Sequence, residues 1–207
     1  MQSAEIRLAD VDDACRILEI YAPYVSDTSL TLTSKIPTLE QIVQKMDDIK
    51  KYYPYLICCV KGELVGFAYA HRLQPHAAFN WNVDLAIFID PKFQGRGIAT
   101  ALYTALFQIL KLQGFCNLYA TITMPNDASM ALHHHFGFKE LVVMEKFGYK
   151  HGSWHDTLIM GMKIPGFSDS DSLGKPLQMS QLNSNHLTTI LAMASALLNG
   201  ANQKGES

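Results

Sequence analysis

The segment from Val83 to Gly114 constrains the fold more than any other part of the chain. Residues 83–89 form an apolar run broken only by Asp84, the pattern of a central buried strand. The run passes through a loop at 90–97, with glycines at 95 and 97, into residues 98–113. There Ile98, Leu102, Leu106, Ile109 and Leu110 share one helical face. Gly114 supplies the stop, and a further apolar strand follows at 118–123. Strand, glycine loop, helix and strand in this order argue a mixed α/β sheet.

The rest of the chain supplies the elements around this unit. Residues 5–8 read as a short first strand. Asp10 caps a helix whose apolar face carries Val11, Ala14, Cys15, Leu18 and Tyr21, interrupted near its end by Pro23. Residues 26–37, rich in Ser and Thr, form a loop or irregular strand. Thr38 and Gln41 have capping-box spacing and open a second helix to about Lys51. Residues 55–60 and 64–70 are strands joined by a Lys61-Gly62 turn. Residues 73–82 make a surface connection.

Pro125-Asn126-Asp127 turns into a short helix that Gly137 ends. Residues 138–147 and 156–163 are two closing strands separated by the polar stretch 149–153. After Pro165 the chain turns polar. A final helix then places Leu187, Ile190, Leu191, Ala194, Leu197 and Leu198 on one stripe. The expected organisation is a domain over 1–166, followed by a linker and C-terminal helical tail over 167–207. The stripe would dock on this subunit or on a second copy.

Composition narrows the partners. With 48% apolar and 17% charged residues, the 207-residue chain can bury a core and is too apolar to be disordered. A formal charge of −2, with no strongly basic stretch, turns away from nucleic acid. Cys15, Cys58, Cys59 and Cys116 contain no Cys-x-x-Cys pair. Cys58 and Cys59 are adjacent on a strand and point to opposite faces. All four are expected as buried or half-buried thiols in a reducing compartment. The N-terminus has no apolar leader, and residues 187–198 are too short to span a bilayer. A cytoplasmic protein without a membrane partner is expected. His133, His134 and His135 project about 100° apart on a helix, so they cannot grip one ion, and no metal is expected.

The chemistry concentrates in the loop. Glycines let successive backbone N–H groups converge without Cβ interference. With the unpaired amides of the helix's first turn they form an anion cradle favoured by the helix dipole, to which Arg96 adds charge. No Lys-Ser or Lys-Thr completes a nucleotide P-loop, and Gly95-x-Gly97 lacks the third glycine of a dinucleotide fingerprint. A glycine-rich turn of purely structural use is the plain alternative.

Gln94-Gly95-Arg96-Gly97-Ile98-Ala99 matches the Gln/Arg-x-x-Gly-x-Gly/Ala signature of the GNAT superfamily of N-acetyltransferases. Residues 53–56 and 77–84, Gly114-Phe115, residues 125–129, His133, Gly137-Phe138 and residues 148–156 resemble the phosphinothricin N-acetyltransferase family in order. The likeness covers residues 6–162 and leaves the tail from 168 uncovered. It implies a mixed, mostly antiparallel sheet of about seven strands, splayed at the centre and flanked by helices. Acetyl-coenzyme A would lie in the V between residues 83–89 and 118–123. A bulge in the first of these strands would present an amide to the thioester carbonyl.

The resemblance also implies roles. Acetyl-coenzyme A would be held by Ile87, Ile89, Gln94, Gly95, Arg96, Gly97, Ile98 and Ala99, with Asn126 and Ser129 beyond the second strand. Asp84 is the candidate general base, since a lone carboxylate in an apolar strand is costly to bury and its pKa should rise toward useful values. The family has Glu there. Asp is one methylene shorter, so a bridging water would restore reach. His133 aligns with a catalytic-site His. Thr31 and Thr33 fall in the family's substrate loop, and Arg72, Lys150 and His151 are alternative partners for an acidic substrate. The implied activity is acetyl transfer to the primary amine of a small amino-acid-like molecule, by a homodimer. A peptide N-acetyltransferase and a non-catalytic acyl-CoA-binding module are the competing readings.

Overall fold

The computed structural model describes residues 4–167 and 174–204. The expected unit is present: strand β4 (Asn82–Ile89) leads through the glycine loop into helix α3 (Ile98–Gln113), and β5 (Asn117–Thr123) returns parallel to β4. Gly114 closes α3 in the left-handed conformation (φ 90°), which costs glycine nothing. Around this unit the sheet is antiparallel. Strands β1 (Ala4–Leu8), β2 (Tyr55–Val60) and β3 (Glu63–Arg72) lie outside β4, while β7 (Ser153–Lys163) and then β6 (Lys139–Lys150) lie outside β5. The order is β1-β2-β3-β4-β5-β7-β6.

Two apolar layers sandwich the sheet. On one face α3 packs Leu102, Leu106, Ile109 and Leu110, all at 0% exposure, against Leu56, Val65, Val83 and Leu118. Each such side chain contributes about 1.5–3 kcal/mol. On the other face α1 (Ala14–Ser26) and α2 (Leu39–Lys50) cover Tyr55, Ile57, Phe67 and Tyr69. Cys58 and Cys59 go to opposite layers, as strand alternation requires. Thr38 and Gln41 form the expected capping box at the start of α2. Among the described residues no helix is long and apolar enough to cross a membrane.

Four expectations are corrected. The chain enters α1 through a 3-10 turn at Val11–Asp13, which resets the helical phase. Val11 and Cys15 are therefore exposed, while Ala14, Ile17, Ile20 and Val25 face the core, and the helix continues past Pro23. The stretch 149–153 does not separate the closing strands. They pair almost to their ends around a two-residue turn, His151-Gly152, with φ of 49° and 76°. The stripe on α5 (Ser184–Lys204) buries Ile190, Ala194 and Leu198 but leaves Leu197 exposed. Finally, β4 carries no bulge: its register with β3 runs unbroken from Gly66↔Ile89 to Arg72↔Val83. Irregularities lie instead between Cys58 and Cys59 of β2, and in β6 between Glu140 and Val142 and between Met144 and Gly148.

The C-terminal helix α5 docks on this subunit. It packs on α3 and lies along β1, the sheet's first edge. Asn199 accepts from the Ala4 N–H (2.9 Å) and donates to the Ala4 carbonyl (3.1 Å), and Ser195 accepts from the Ile6 N–H (2.8 Å). Side chains thus pair the edge groups that a neighbouring strand would otherwise pair.

Candidate active site

The sheet opens at Asp84. β4 and β5 pair only over Asn82↔Asn117, Val83↔Leu118 and Asp84↔Tyr119. Beyond that point β4 stays with β3 to Ile89, and β5 stays with β7 to Thr123. The Asp90 N–H donates to the Val65 carbonyl (2.8 Å), which fixes the phase of the β3–β4 ladder. In that phase Asp84, Ala86 and Phe88 exchange bonds with β3, so the amides of Leu85, Ile87 and Ile89 face the gap. Strand divergence, rather than a bulge, frees these groups.

Asp84 sits at the apex. Oδ1 accepts from the Leu85 N–H (3.1 Å), which leaves Ile87 and Ile89 as the open amides. Oδ2 accepts from the Thr121 hydroxyl on β5 (3.3 Å) and lies 3.7 Å from His71 Nε2 on β3. The carboxylate is 16% exposed. Burial raises its pKa, partly offset by the charge of His71 and by the two hydrogen bonds.

At the far end of β4 the glycine loop is anchored from below. Asp90, buried at the loop's entry, accepts from the Lys92 N–H (3.0 Å) and pairs with Arg16 of α1 (2.7 Å). The Tyr24 hydroxyl donates to the Ile89 carbonyl and receives Gln94 Nε2 (3.0 Å). Gln94 therefore holds the loop to α1. Arg96 folds back onto the Lys92 carbonyl (3.1 Å) and over the Phe93 ring (4.9 Å). Gly95 and Gly97 have φ of 73° and 75°, and a Cβ at either would meet open space. No side chain caps α3, so Ile98 and Ala99 begin a helix whose first amides lack a side-chain partner. Such a cradle fits a diphosphate, and open strand amides fit an amide-bearing arm.

The other nominated residues divide. Asn126 caps helix α4 (Asp127–His135), its Oδ1 accepting from the Ser129 N–H (3.1 Å). His133 is 2% exposed with both ring nitrogens engaged. Nδ1–H donates to the Ser129 carbonyl (2.7 Å), and Nε2 accepts from the Tyr103 hydroxyl (3.1 Å). Burial lowers its pKa, so the ring is neutral. Burial chiefly, and then the charge of Asp84, raises the pKa of Tyr103.

Thr31, Thr33, Lys150 and His151 do come together. Thr31 and Thr33 bond each other (3.2 Å), and Thr33 bonds the Tyr21 hydroxyl (2.9 Å). Lys150, buried, donates to the Thr31 carbonyl (2.7 Å), and His151 Nε2 lies 3.2 Å from the Thr28 carbonyl. Arg72, next to His71 at the end of β3, is exposed, lies 3.4 Å from Asn80 Oδ1 and lines with His71 a cavity of about 600 Å³. Beside the apex, between α2 and β3, is a cavity of about 440 Å³ lined by Gln41, Gln44, Lys45, Asp48, Ile49 and His71. Among the described residues no cluster could hold a metal ion.

Sequence reasoning missed His71, Thr121 and Tyr24. Register with Asp84 selects His71, while Thr121 lies two residues beyond Tyr119, the β5 partner of Asp84, where the pairing has already ended. No local pattern marks Tyr24.

Comparison with known proteins agrees with this geometry. The model of the acetyltransferase (GNAT) domain matches residues 6–159. Phosphinothricin N-acetyltransferase of Streptomyces viridochromogenes is 30% identical over 152 residues, covering 73% of this chain and 83% of that enzyme. The L-methionine sulfoximine/L-methionine sulfone acetyltransferase of Pseudomonas aeruginosa is 29% identical, covering 78% and 95%. The crystal structure of a phosphinothricin acetyltransferase from Sinorhizobium meliloti in complex with acetyl-CoA superposes with a TM-score of 0.77 at 28% identity, covering 83% and 95%. An open β4 edge, an uncapped glycine loop and a match over most of the chain lead to one conclusion: this protein belongs to the GNAT acetyltransferase family and is an acetyl-CoA-dependent N-acetyltransferase.

Proposed function

We propose that the acceptor is the primary amine of a small amino-acid-like molecule of the phosphinothricin or methionine-sulfoximine type, acetylated by direct attack on the thioester. The observation that carries this reading is the position of Asp84. It lies at the apex between an open strand edge leading to the glycine loop and a cavity sized for a small molecule.

The diphosphate of acetyl-CoA would rest on the amides from Gly95 to Ala99, and its pantetheine arm on Ile87 and Ile89. Asn126 and Ser129 face the same arm from β5's end. Asp84, directly or through one water, takes a proton from the acceptor ammonium. The freed nitrogen pair forms the C–N bond. The tetrahedral intermediate then loses its C–S bond to the thiolate and its second N–H proton to solvent or base. Holding amine and thioester at one apex supplies much of the acceleration. Thr31 and Thr33, fixed by Lys150, border the acceptor entrance. His133 holds α4 and so supports Asn126 and Ser129.

The relatives named for phosphinothricin and methionine sulfone acetylation support the acceptor class. Leu141, Val142, Val143 and Phe147 on the edge strand β6 are about half exposed, and this apolar sheet edge supports a homodimer. The cytoplasm, where acetyl-CoA is made, is the fitting location. A thiol-release assay with L-phosphinothricin, L-methionine sulfoximine, L-methionine sulfone and a lysine peptide tests the reading. Turnover of the free amino acids and not of the peptide is expected. Acetyl-CoA binding without amine-dependent thiol release would overturn it.

A further inference from the structure

Two of the residues nominated for an acidic acceptor, Lys150 and His151, hold loop carbonyls instead. Lys150 is held by the Thr31 carbonyl, His151 lies against Thr28, and Arg72 sits beside Asn80 at the end of β3. One cation on the wall of the acceptor-side cavity is differently placed. Lys45 lies on α2, outside every motif, and is an exposed residue. Its ammonium turns inward, 2.7 Å from the Tyr69 hydroxyl and 4.9 Å from the ring centroid. Tyr69 is itself buried.

Among the described residues no carboxylate lies within ion-pair distance of that ammonium. Asp48, the one carboxylate lining the same cavity, instead accepts from Gln44 Nε2 (3.1 Å). Tyr69 offers a dipole and a ring face, and burial keeps its phenol protonated, so it cannot neutralise the charge. Removal from water lowers the Lys45 pKa. A cation on the wall of this cavity, held only by a neutral hydroxyl and with no carboxylate partner among the described residues, is a recognition group awaiting an anion.

The register links it to the chemistry. Tyr69 and His71 are same-face neighbours on β3, roughly 7 Å apart. His71 lies opposite Asp84, and Tyr69 opposite Ala86. Lys45, Tyr69, His71 and Asp84 thus line one path, with the ammonium at one end and the carboxylate at the other.

We infer that Lys45 is the specificity-determining residue that binds an oxyanion of the acceptor, its carboxylate or its side-chain phosphinate, while the acceptor's amine lies at Asp84. This rests on the small-amine reading above.

The test uses four amines with acetyl-CoA. L-phosphinothricin carries both acid groups, L-methionine sulfone only the carboxylate, 3-aminopropyl(methyl)phosphinate only the phosphinate, and 3-(methylsulfonyl)propylamine neither. Lys45→Met should raise KM at least about tenfold for the amines bearing the contacted oxyanion, with little change in kcat. It should leave 3-(methylsulfonyl)propylamine within about twofold, and Lys45→Arg should recover most of the loss. The amines that suffer identify which acid group is bound. Unchanged acetyl-CoA affinity and melting temperature show that Lys45→Met is folded. Equal losses on all four amines, or none, overturn the role of Lys45 alone. If the wild-type protein binds acetyl-CoA yet acetylates none of the four, the small-amine reading falls and the Lys45 assignment falls with it.

Discussion

His71 Nε2 lies 3.7 Å from Asp84 Oδ2 across the β3–β4 pair, where β5 begins to leave the sheet. The contact joins the cavity between α2 and β3, which His71 lines, to the one carboxylate inside β4.

This pair sets a pH dependence. Burial raises the Asp84 pKa, and the base must be deprotonated to act, so the acid limb of kcat/KM should fall at a pH above the ordinary carboxylate range. The His71 charge lowers the Asp84 pKa, so His71→Gln should move that limb further upward. Asp84→Asn should lower kcat by about a hundredfold to ten-thousandfold while calorimetry still detects acetyl-CoA. A limb unchanged in His71→Gln would remove His71 from the site's electrostatics.

The same shift predicts a stability effect. A carboxyl whose folded pKa is raised binds its proton more tightly folded than unfolded. Its destabilising share appears as pH rises through the unfolded value and is complete above the folded one. Asp84→Asn should therefore melt higher than wild type at neutral pH, and the gap should close below the unfolded carboxylate pKa. Calorimetric melts at acidic and neutral pH check this.

Gly97→Ala probes the cradle. With φ of 75° the substitution costs about 1–2 kcal/mol in backbone strain, and it moves the amides at the start of α3. Acetyl-CoA affinity should drop about tenfold or more by titration calorimetry while circular dichroism stays native.

Gly148 packs against the loop that carries Thr31 and Thr33. A Cβ there would overlap the end of Leu32, between Thr31 and Thr33. Gly148→Ala should cost about 1–3 kcal/mol, taken up by shifting the loop. Raised KM for the amine, with unchanged affinity for acetyl-CoA, is the expected kinetic result.

The C-terminal helix should behave as part of the domain. Asn199→Ala removes two bonds to Ala4 at the sheet edge and should cost about 1–2 kcal/mol in urea unfolding. Deleting residues 184–207 uncovers the α3 face beneath Ile190, Ala194 and Leu198, and should cost more than any of these substitutions. A truncated protein as stable as the full chain would support a domain boundary near Gly166.

Several elements were legible because their signals are local. The ends of α3, the capping box of α2 and strand β2 coincide with their sequence readings. Where the signal depended on phase, it slipped. A three-residue 3-10 turn moved the buried side of α1 away from Val11 and Cys15, and a two-residue turn let β6 and β7 absorb the stretch read as their separator.

By itself, the sequence determined the βαβ unit, the glycine loop and the lone acid of β4, since each follows from neighbouring residues and their backbone preferences. Only tertiary structure decided what surrounds that acid. His71 and Thr121 reach Asp84, and Lys45 reaches Tyr69, through strand register and helix packing, contacts between residues far apart in the chain. It also decided that Lys150, His151 and Gln94 spend their polar groups on holding loops in place. A side chain's hydrogen-bond partners are set by what folding brings within about 3 Å of it, and no local pattern encodes that.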